Sequence, residues 1–421
     1  MSNFFCGTAA VLIFAFNVLE WSFGAEEEFS FSDIKAPEHG YWERPLNDPF
    51  SRIIADLEEG KLKLNYSSEK QFLTSLLKAL NISESSQMLV YSTTSLQLSL
   101  ISPETPRALY FNEDIYLGYV QGGRIEIVSI DPELGGIFYI FDIPRGGNRP
   151  VIERSKRCMN CHSGEDTFEV PGIVIKSVIP GPRGGSLDSF RRGESGHGVP
   201  LEERFGGWHV TGADGLASHW GNLTGRFTPD GIVTTPLPPG KEFNWAKFPV
   251  ASSDILAHLL HEHQAGFVNR VVQAHYQIRT ALKHGRGQFQ EKDKAAMSQQ
   301  VELITRYLLF ADEADLPEGG ISADSRLKED FLTARKVDSK GDSLRDFDLQ
   351  KSLFRNRCSY MIYTPVFQHL PDGFKKLIYR RMKTALAPDG QDPQFTYLSE
   401  EEKARIRSIL AETISDLPAD W

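Results

Sequence analysis

With 421 residues the chain is long enough for two or three domains and at least one sizeable core. Its 40% apolar and 24% charged residues are those of an ordinary soluble globular protein. A formal net charge of −10 excludes the basic surface that non-specific nucleic-acid binding requires.

The opening MSNFFCGTAAVLIFAFNVLEWSFGAEEEF holds an apolar run from Phe4 to Leu19 that Glu20 ends abruptly. The run is short for a bilayer span and small residues follow at Ser22, Gly24 and Ala25. Residues 1–24 are therefore expected to be a cleaved export signal. No Lys or Arg precedes the run, which leaves an uncleaved membrane anchor as the alternative. Residues 25–104 are an extended arm and two helices, Asp48 to Glu59 and Ser67 to Leu80. Residues 105–250 are mixed strand and loop. ALYF, IYLGYV, RIEIVSI and IFYIFDI are β-branched and aromatic, and Gly122-Gly123 between two of them marks a hairpin. From 144 to 240 the chain is rich in Gly and Pro and short of helix signals.

Residues 251–421 are helical. A long helix starts at the Ser-Ser-Asp cap and ends at Gly285, with Leu256, Leu260, Phe267, Val271, Ile278 and Leu282 on one stripe. Further helices are predicted at 294–311, 326–336, 343–363, 371–386 and 400–415, the last opening with the capping box Ser399-x-x-Glu402. The fold class is α+β: an N-terminal β-hairpin sheet and loop-rich region followed by an all-α C-terminal half.

The stretch that carries chemistry is SKRCMNCHSGED, where Cys158 and Cys161 are followed at once by His162. A redox dithiol wants a strand-to-helix setting in a βαβ unit and has no use for the histidine. A structural zinc site needs four ligands, and only Cys358 remains to join once Cys6 leaves with the signal. Covalent haem attachment uses all three residues. The thiols add to the two vinyl groups on one porphyrin edge, and the adjacent imidazole becomes an axial ligand.

CMNCH resembles the haem-binding motif of c-type cytochromes, matched by Cys158, Cys161 and His162. The chain from about residue 105 onward is similar to a family of uncharacterised bacterial single-haem cytochrome c-like proteins. That likeness lies in RFGGWHVTGADGLASHWGN, LLHEHQAGF, LRDFDLQKSLFRNRCSYMIY and KKLIYRRM. The resemblance implies one covalent haem c in a domain at 105–250, with thioethers from Cys158 and Cys161 and His162 as proximal ligand. Small electron-transfer cytochromes are all-helical and supply a Met some tens of residues later. Here strands precede the motif, and no Met follows it before Met297.

Histidines are better placed for the other face of the iron. His197, His209 and His219 lie in the loop-rich segment, and His219, beside Trp220, is the first candidate for the distal ligand. His209 alternates with Trp208 and is expected to face the other way. His263 and His275 fall in the apolar stripe of the long helix, and His263 is a second distal candidate, set against a hydrogen-bonded core role. His258 and Glu262 share a helical face that is expected to be solvated. Arg145, Arg149, Arg154, Arg157 and Arg183 surround the motif, and Arg154 and Arg157 are the candidates to hold haem propionates. Cys358 reads as a buried, inert thiol.

The expected function is an exported single-haem c-type cytochrome in the periplasm or another extracytoplasmic bacterial compartment. It passes electrons to a redox protein partner and is a carrier more than an enzyme. The alternative is a haem sensor or haem enzyme with an open distal site for a diatomic gas or peroxide. A zinc-binding interaction module is a third reading.

Overall fold

Asp48 opens the first helix, Pro49–Glu58 (α1): its carboxylate accepts the backbone N–H groups of Phe50 and Ser51, and Pro49 follows at the first helical position. The computed structural model describes residues 34–144, 149–189, 195–388 and 392–421. The expected export signal and Arg145 lie outside them. The second helix, Glu69–Ala79 (α2), starts at Ser68, whose hydroxyl accepts from Gln71 N–H.

Five strands follow: Met88–Val90 (β1), Arg107–Phe111 (β2), Ile115–Tyr119 (β3), Arg124–Asp131 (β4) and Gly135–Asp142 (β5). The turn between β3 and β4 places Gly122 at φ +71°, a conformation that glycine adopts without strain. Glu153–Arg154 (β6) adds an edge strand, and the motif turn Met159–His162 (α3) comes directly after it. Two small hairpins, Val178–Pro180 (β7) with Ser186–Ser189 (β8) and Leu223–Thr228 (β10) with Gly231–Pro236 (β11), flank Trp208–His209 (β9). The main sheet is antiparallel, in the order β6-β5-β4-β3-β2-β1-β9.

The register sorts the side chains onto two faces. Leu89, Tyr110, Leu117, Ile125 and Tyr139 face α1 and α2, where Phe50, Phe72 and Leu76 close one core. Met88, Phe111, Tyr116 and Ile130 face the C-terminal helices, which form the second core. The sheet is thus covered by helices on both sides, with the two N-terminal helices packed on it as one layer.

The central element of the second core is Ile255–His284 (α4), where every residue from Ile255 to Asn269 is buried. The sequence suggests a one-sided stripe; the helix is instead enclosed all round, because the sheet lies on one side and the remaining helices on the other. Those are Asp293–Leu308 (α5), Ser325–Leu332 (α6), Pro365–Gln368 (α7), Asp372–Ala385 (α8) and Glu400–Thr413 (α9). Among the described residues no helix is long and apolar enough to cross a membrane.

The helix predicted over 343–363 does not form. Only a 3₁₀ turn at Tyr360–Tyr363 occurs there. Short polar side chains capture the backbone first: Asp346 accepts Ser343 N–H at 2.8 Å and Asp348 accepts Gln350 N–H at 3.1 Å, while Leu349 sits at φ +60°. Phe331, Phe347, Phe354 and Tyr360 then cluster through the irregular chain. The capping box of α9 is half-made. Ser399 accepts Glu402 N–H, but the Glu402 carboxylate turns to Arg357, accepting from its backbone N–H and from Nε and Nη2 at 2.8–3.0 Å.

Glu402 is 5% exposed and the Arg357 side chain 24%, so removing the carboxylate leaves a partly buried guanidinium with only the Tyr397 carbonyl as hydrogen-bond partner among the described residues. Glu402→Ala is expected to lower unfolding free energy by about 3 kcal/mol in urea titrations. A change within error would show that water already solvates Arg357.

Candidate functional site

Cys158 begins the single turn of α3: its carbonyl accepts the N–H of Cys161 at 3.1 Å and of His162 at 3.0 Å. Both thiols are free, Cys158 partly buried and Cys161 exposed. Burial pushes the Cys158 thiol above its ordinary pKa, the opposite of what a redox dithiol needs. The preceding element is an edge strand of an antiparallel sheet, so the βαβ setting of such a dithiol is absent as well.

His162 is held from two sides. Its ring lies against Phe138 with centroids 4.7 Å apart, and Nδ1 is 2.9 Å from the Gly172 carbonyl oxygen. A carbonyl only accepts, so Nδ1 carries the proton and donates it, which leaves Nε2 as the lone-pair nitrogen. Burial holds the imidazole pKa below its usual value, with the Gly172 carbonyl pulling the other way, so the ring is neutral at neutral pH. Cys158, Cys161 and His162 are therefore the residues that could hold a cofactor here.

The support behind His162 is a single peptide unit. The carbonyl of Gly172 takes the His162 Nδ1–H, and the N–H of the same peptide, on Ile173, donates to Asn269 Oδ1 at 2.8 Å. Asn269 Nδ2 then donates to the Ile173 carbonyl at 2.9 Å. Gly172 N–H also donates to the His162 carbonyl at 2.9 Å. A Cβ on Gly172 would stand 2.4 Å from Asn269 Oδ1, so only glycine lets α4 approach this closely. The imidazole is thereby keyed to the buried helix α4. Sequence reasoning overlooked Gly172 and Asn269; an asparagine in the apolar run GFVNRVV was the available signal.

The other predicted site residues are dispersed. His263 is spent: Nδ1 faces His197 Nδ1 at 2.8 Å and Nε2 faces Ser359 Oγ at 2.7 Å, so the core role prevails over the distal one. His275 meets the Val366 carbonyl at 2.8 Å. His209 does face away from Trp208, opposite Leu89. Its ring packs between Tyr91 and Phe243 with both nitrogens buried and unpartnered, on the sheet face away from the Phe138 row. His219 Nδ1 accepts Gly221 N–H within its own turn, and its ring meets Phe205; among the described residues no contact ties it to the motif. His258 and Glu262 are buried, not solvated. His258 meets Ser253 Oγ and the His209 carbonyl, and Glu262 accepts Gly196 N–H.

Arg154 is committed to the far side of the sheet. It donates to the Tyr41 carbonyl, and its guanidinium lies over the Tyr41 and Trp42 rings. Arg149 bonds the Glu58 carbonyl, whereas Arg157 and Arg183 are exposed. Arg157 directly precedes Cys158, on the solvent-exposed side of the motif. Cys358 is fully buried, and burial raises its thiol pKa far above the ordinary value, as an inert thiol requires. Among the described residues no three His, Cys, Asp or Glu gather to hold a metal ion, so the zinc reading finds no ligand set there.

Asn269→Ala would leave both the N–H and C=O of Ile173 without their partner, and is expected to cost about 2–4 kcal/mol in denaturant titrations. Stability also depends on the buried imidazoles. Desolvation lowers His258 and His263 to about 3 and His261 and His275 to about 4. Unfolding returns each to about 6.5, so below that pH the unfolded chain binds more protons and stability falls as pH drops towards 4. Asp254, raised to about 6, and Asp114 and Glu313, raised to about 7, oppose this in smaller number. The urea midpoint is expected to be lower near pH 5 than near pH 7.5; an equal or higher midpoint contradicts the neutral-histidine core. No protein-family model, no curated protein and no solved structure matches the chain.

Proposed function

We propose that the protein carries one covalently attached haem c and acts as an exported electron carrier. The observation that supports this best is the hydrogen bond from His162 Nδ1 to the Gly172 carbonyl. It fixes the tautomer whose Nε2 lone pair is free for iron, on the same turn that presents Cys158 and Cys161. The donor set fits the group: two free thiols on one turn and a neutral, oriented imidazole.

When bound, the haem supplies an iron that gains and loses one electron. The chain's residues do the rest. Cys158 and Cys161 would hold the group through two thioethers, each thiol adding its sulfur to one vinyl carbon and its hydrogen to the neighbouring one. Asn269 and Gly172 hold the imidazole, and Phe138 packs its ring. Low polarity around the His162 ring and the hydrogen bond at Nδ1 tune the potential, since electron-rich imidazole favours the oxidised state. Cys161 remains at the surface, where a redox protein partner can approach the attachment edge. The apolar run at Phe4–Leu19 agrees with export, because haem c is attached outside the cytoplasm.

Protein produced with haem-maturation machinery is expected to give a one-haem pyridine haemochrome spectrum that survives acid acetone. Cys158→Ser and Cys161→Ser are each expected to weaken or abolish that covalent signal. Carbon monoxide should leave the reduced Soret band nearly unchanged in a carrier, and a ready shift would favour the sensor or enzyme reading. Colourless wild-type protein overturns the proposal.

A further inference from the structure

We infer that His261, on α4, is the residue that ligates the haem iron opposite His162; the inference rests on the haem reading above.

The other buried histidines on α4 are hydrogen-bonded: His258 to Ser253 and the His209 carbonyl, His263 to His197 and Ser359, His275 to the Val366 carbonyl. His261 is 5% exposed and, among the described residues, meets only rings, edge-on to Phe111 at 5.3 Å and Tyr116 at 5.4 Å. It borders a narrow crevice with Ile175 and Trp208. Neither His261 nitrogen has a hydrogen-bond partner among the described residues, and neither is fully enclosed, unlike both nitrogens of His209, so the His261 lone pair stays open to a ligand.

The sheet register puts this imidazole on the same face as His162. Phe111, Tyr116, Val128 and Phe138 are successive partners across β2, β3, β4 and β5, a single row of side chains. His261 stands over the first two and His162 against the last. Tyr116 and Phe138 are two strands apart, about 10 Å, and Val128 between them is only partly buried, so the two imidazoles lie on either side of an incompletely covered position of the sheet. His263, two residues along the helix, is turned by about 200° and faces the opposite layer.

The floor beside this row carries a matching cation. The Arg107 guanidinium lies over Gly118, where a Cβ would stand 2.4 Å from its Nη2, and Nη2 pairs with Glu126 at 2.6 Å. Its Nε is buried and unpartnered. By register Arg107, Gly118 and Glu126 lie on the same sheet face as Phe111, Tyr116 and Phe138. An arginine with a spare N–H on this face is where a propionate would find its partner, and Arg154 lies on the other face.

The test is spectroscopic. Haem-loaded wild type is expected to be low-spin, with the electron paramagnetic resonance and near-infrared magnetic circular dichroism of two imidazoles on one iron. His261→Ala should retain the covalent haem by pyridine haemochrome, turn high-spin, bind carbon monoxide and recover the low-spin spectrum when imidazole is added. His263→Ala and His219→Ala should leave the wild-type spectrum unchanged. A wild type without the two-imidazole signals, or a His261→Ala protein that stays low-spin with its haem in place, overturns the assignment while leaving covalent haem intact. Should His261→Ala not fold, the wild-type spectra decide. Wild type without haem removes the functional reading itself.

Discussion

One peptide unit carries the site. Its carbonyl, on Gly172, fixes the proton of His162, and its N–H, on Ile173, is fixed by Asn269 from inside the longest buried helix. Hydrogen bonds at opposite ends of a single amide polarise each other, so the two bonds act together. A half-exposed turn such as α3 has little packing of its own to hold an imidazole still. The geometry is borrowed from α4, whose position is set by the sheet on one side and five helices on the other.

The same helix sorts its histidines by angle. His263 and His261, two residues apart, face opposite layers, and their environments differ accordingly. His263 completes a chain with His197 and Ser359 in the C-terminal core. His261 faces the sheet, among aromatic edges and without a hydrogen bond. One closes a structural network; the other has no hydrogen-bond partner among the described residues. The dense aromatic packing makes both imidazoles neutral, which suits a donor nitrogen and also makes the fold sensitive to acid.

Much of the architecture was legible in the sequence. The period-two runs gave β2 to β5 to within a few residues, because each is half-buried on a sheet with two apolar faces. The cap at Ser399 marked a helix start correctly, and the helices expected from Asp48 and Ser67 begin at Pro49 and Glu69. The failures have local causes. Residues 343–363 were read as a helix, but Asp346 and Asp348 bond nearby backbone N–H groups and the chain takes an irregular course there. The short strands β1 and β9 have too few residues to show a period and exist because a neighbour's edge was open.

The Cys158–His162 turn was legible as a CxxCH motif of fixed spacing, whereas its supports were not. Gly172 and Asn269 are distant in the chain and ordinary in type, and only the closeness of two backbones makes them specific. Arg154 was placed by proximity in sequence to the motif, yet strand alternation turns it to the other face of the sheet. His261 sat unremarked in LLHEHQAGF because angle from the apolar stripe was used as the guide, and a helix buried all round gives that guide no meaning.

The central claim is tested most directly by peptide mapping. Trypsin should release Cys158–Lys176 from protein matured outside the cytoplasm. That peptide is expected to carry the added mass of one haem and to absorb in the Soret region, with both thiols resistant to alkylation. Recovery of the same peptide at its bare mass, with both thiols alkylated, would contradict the account.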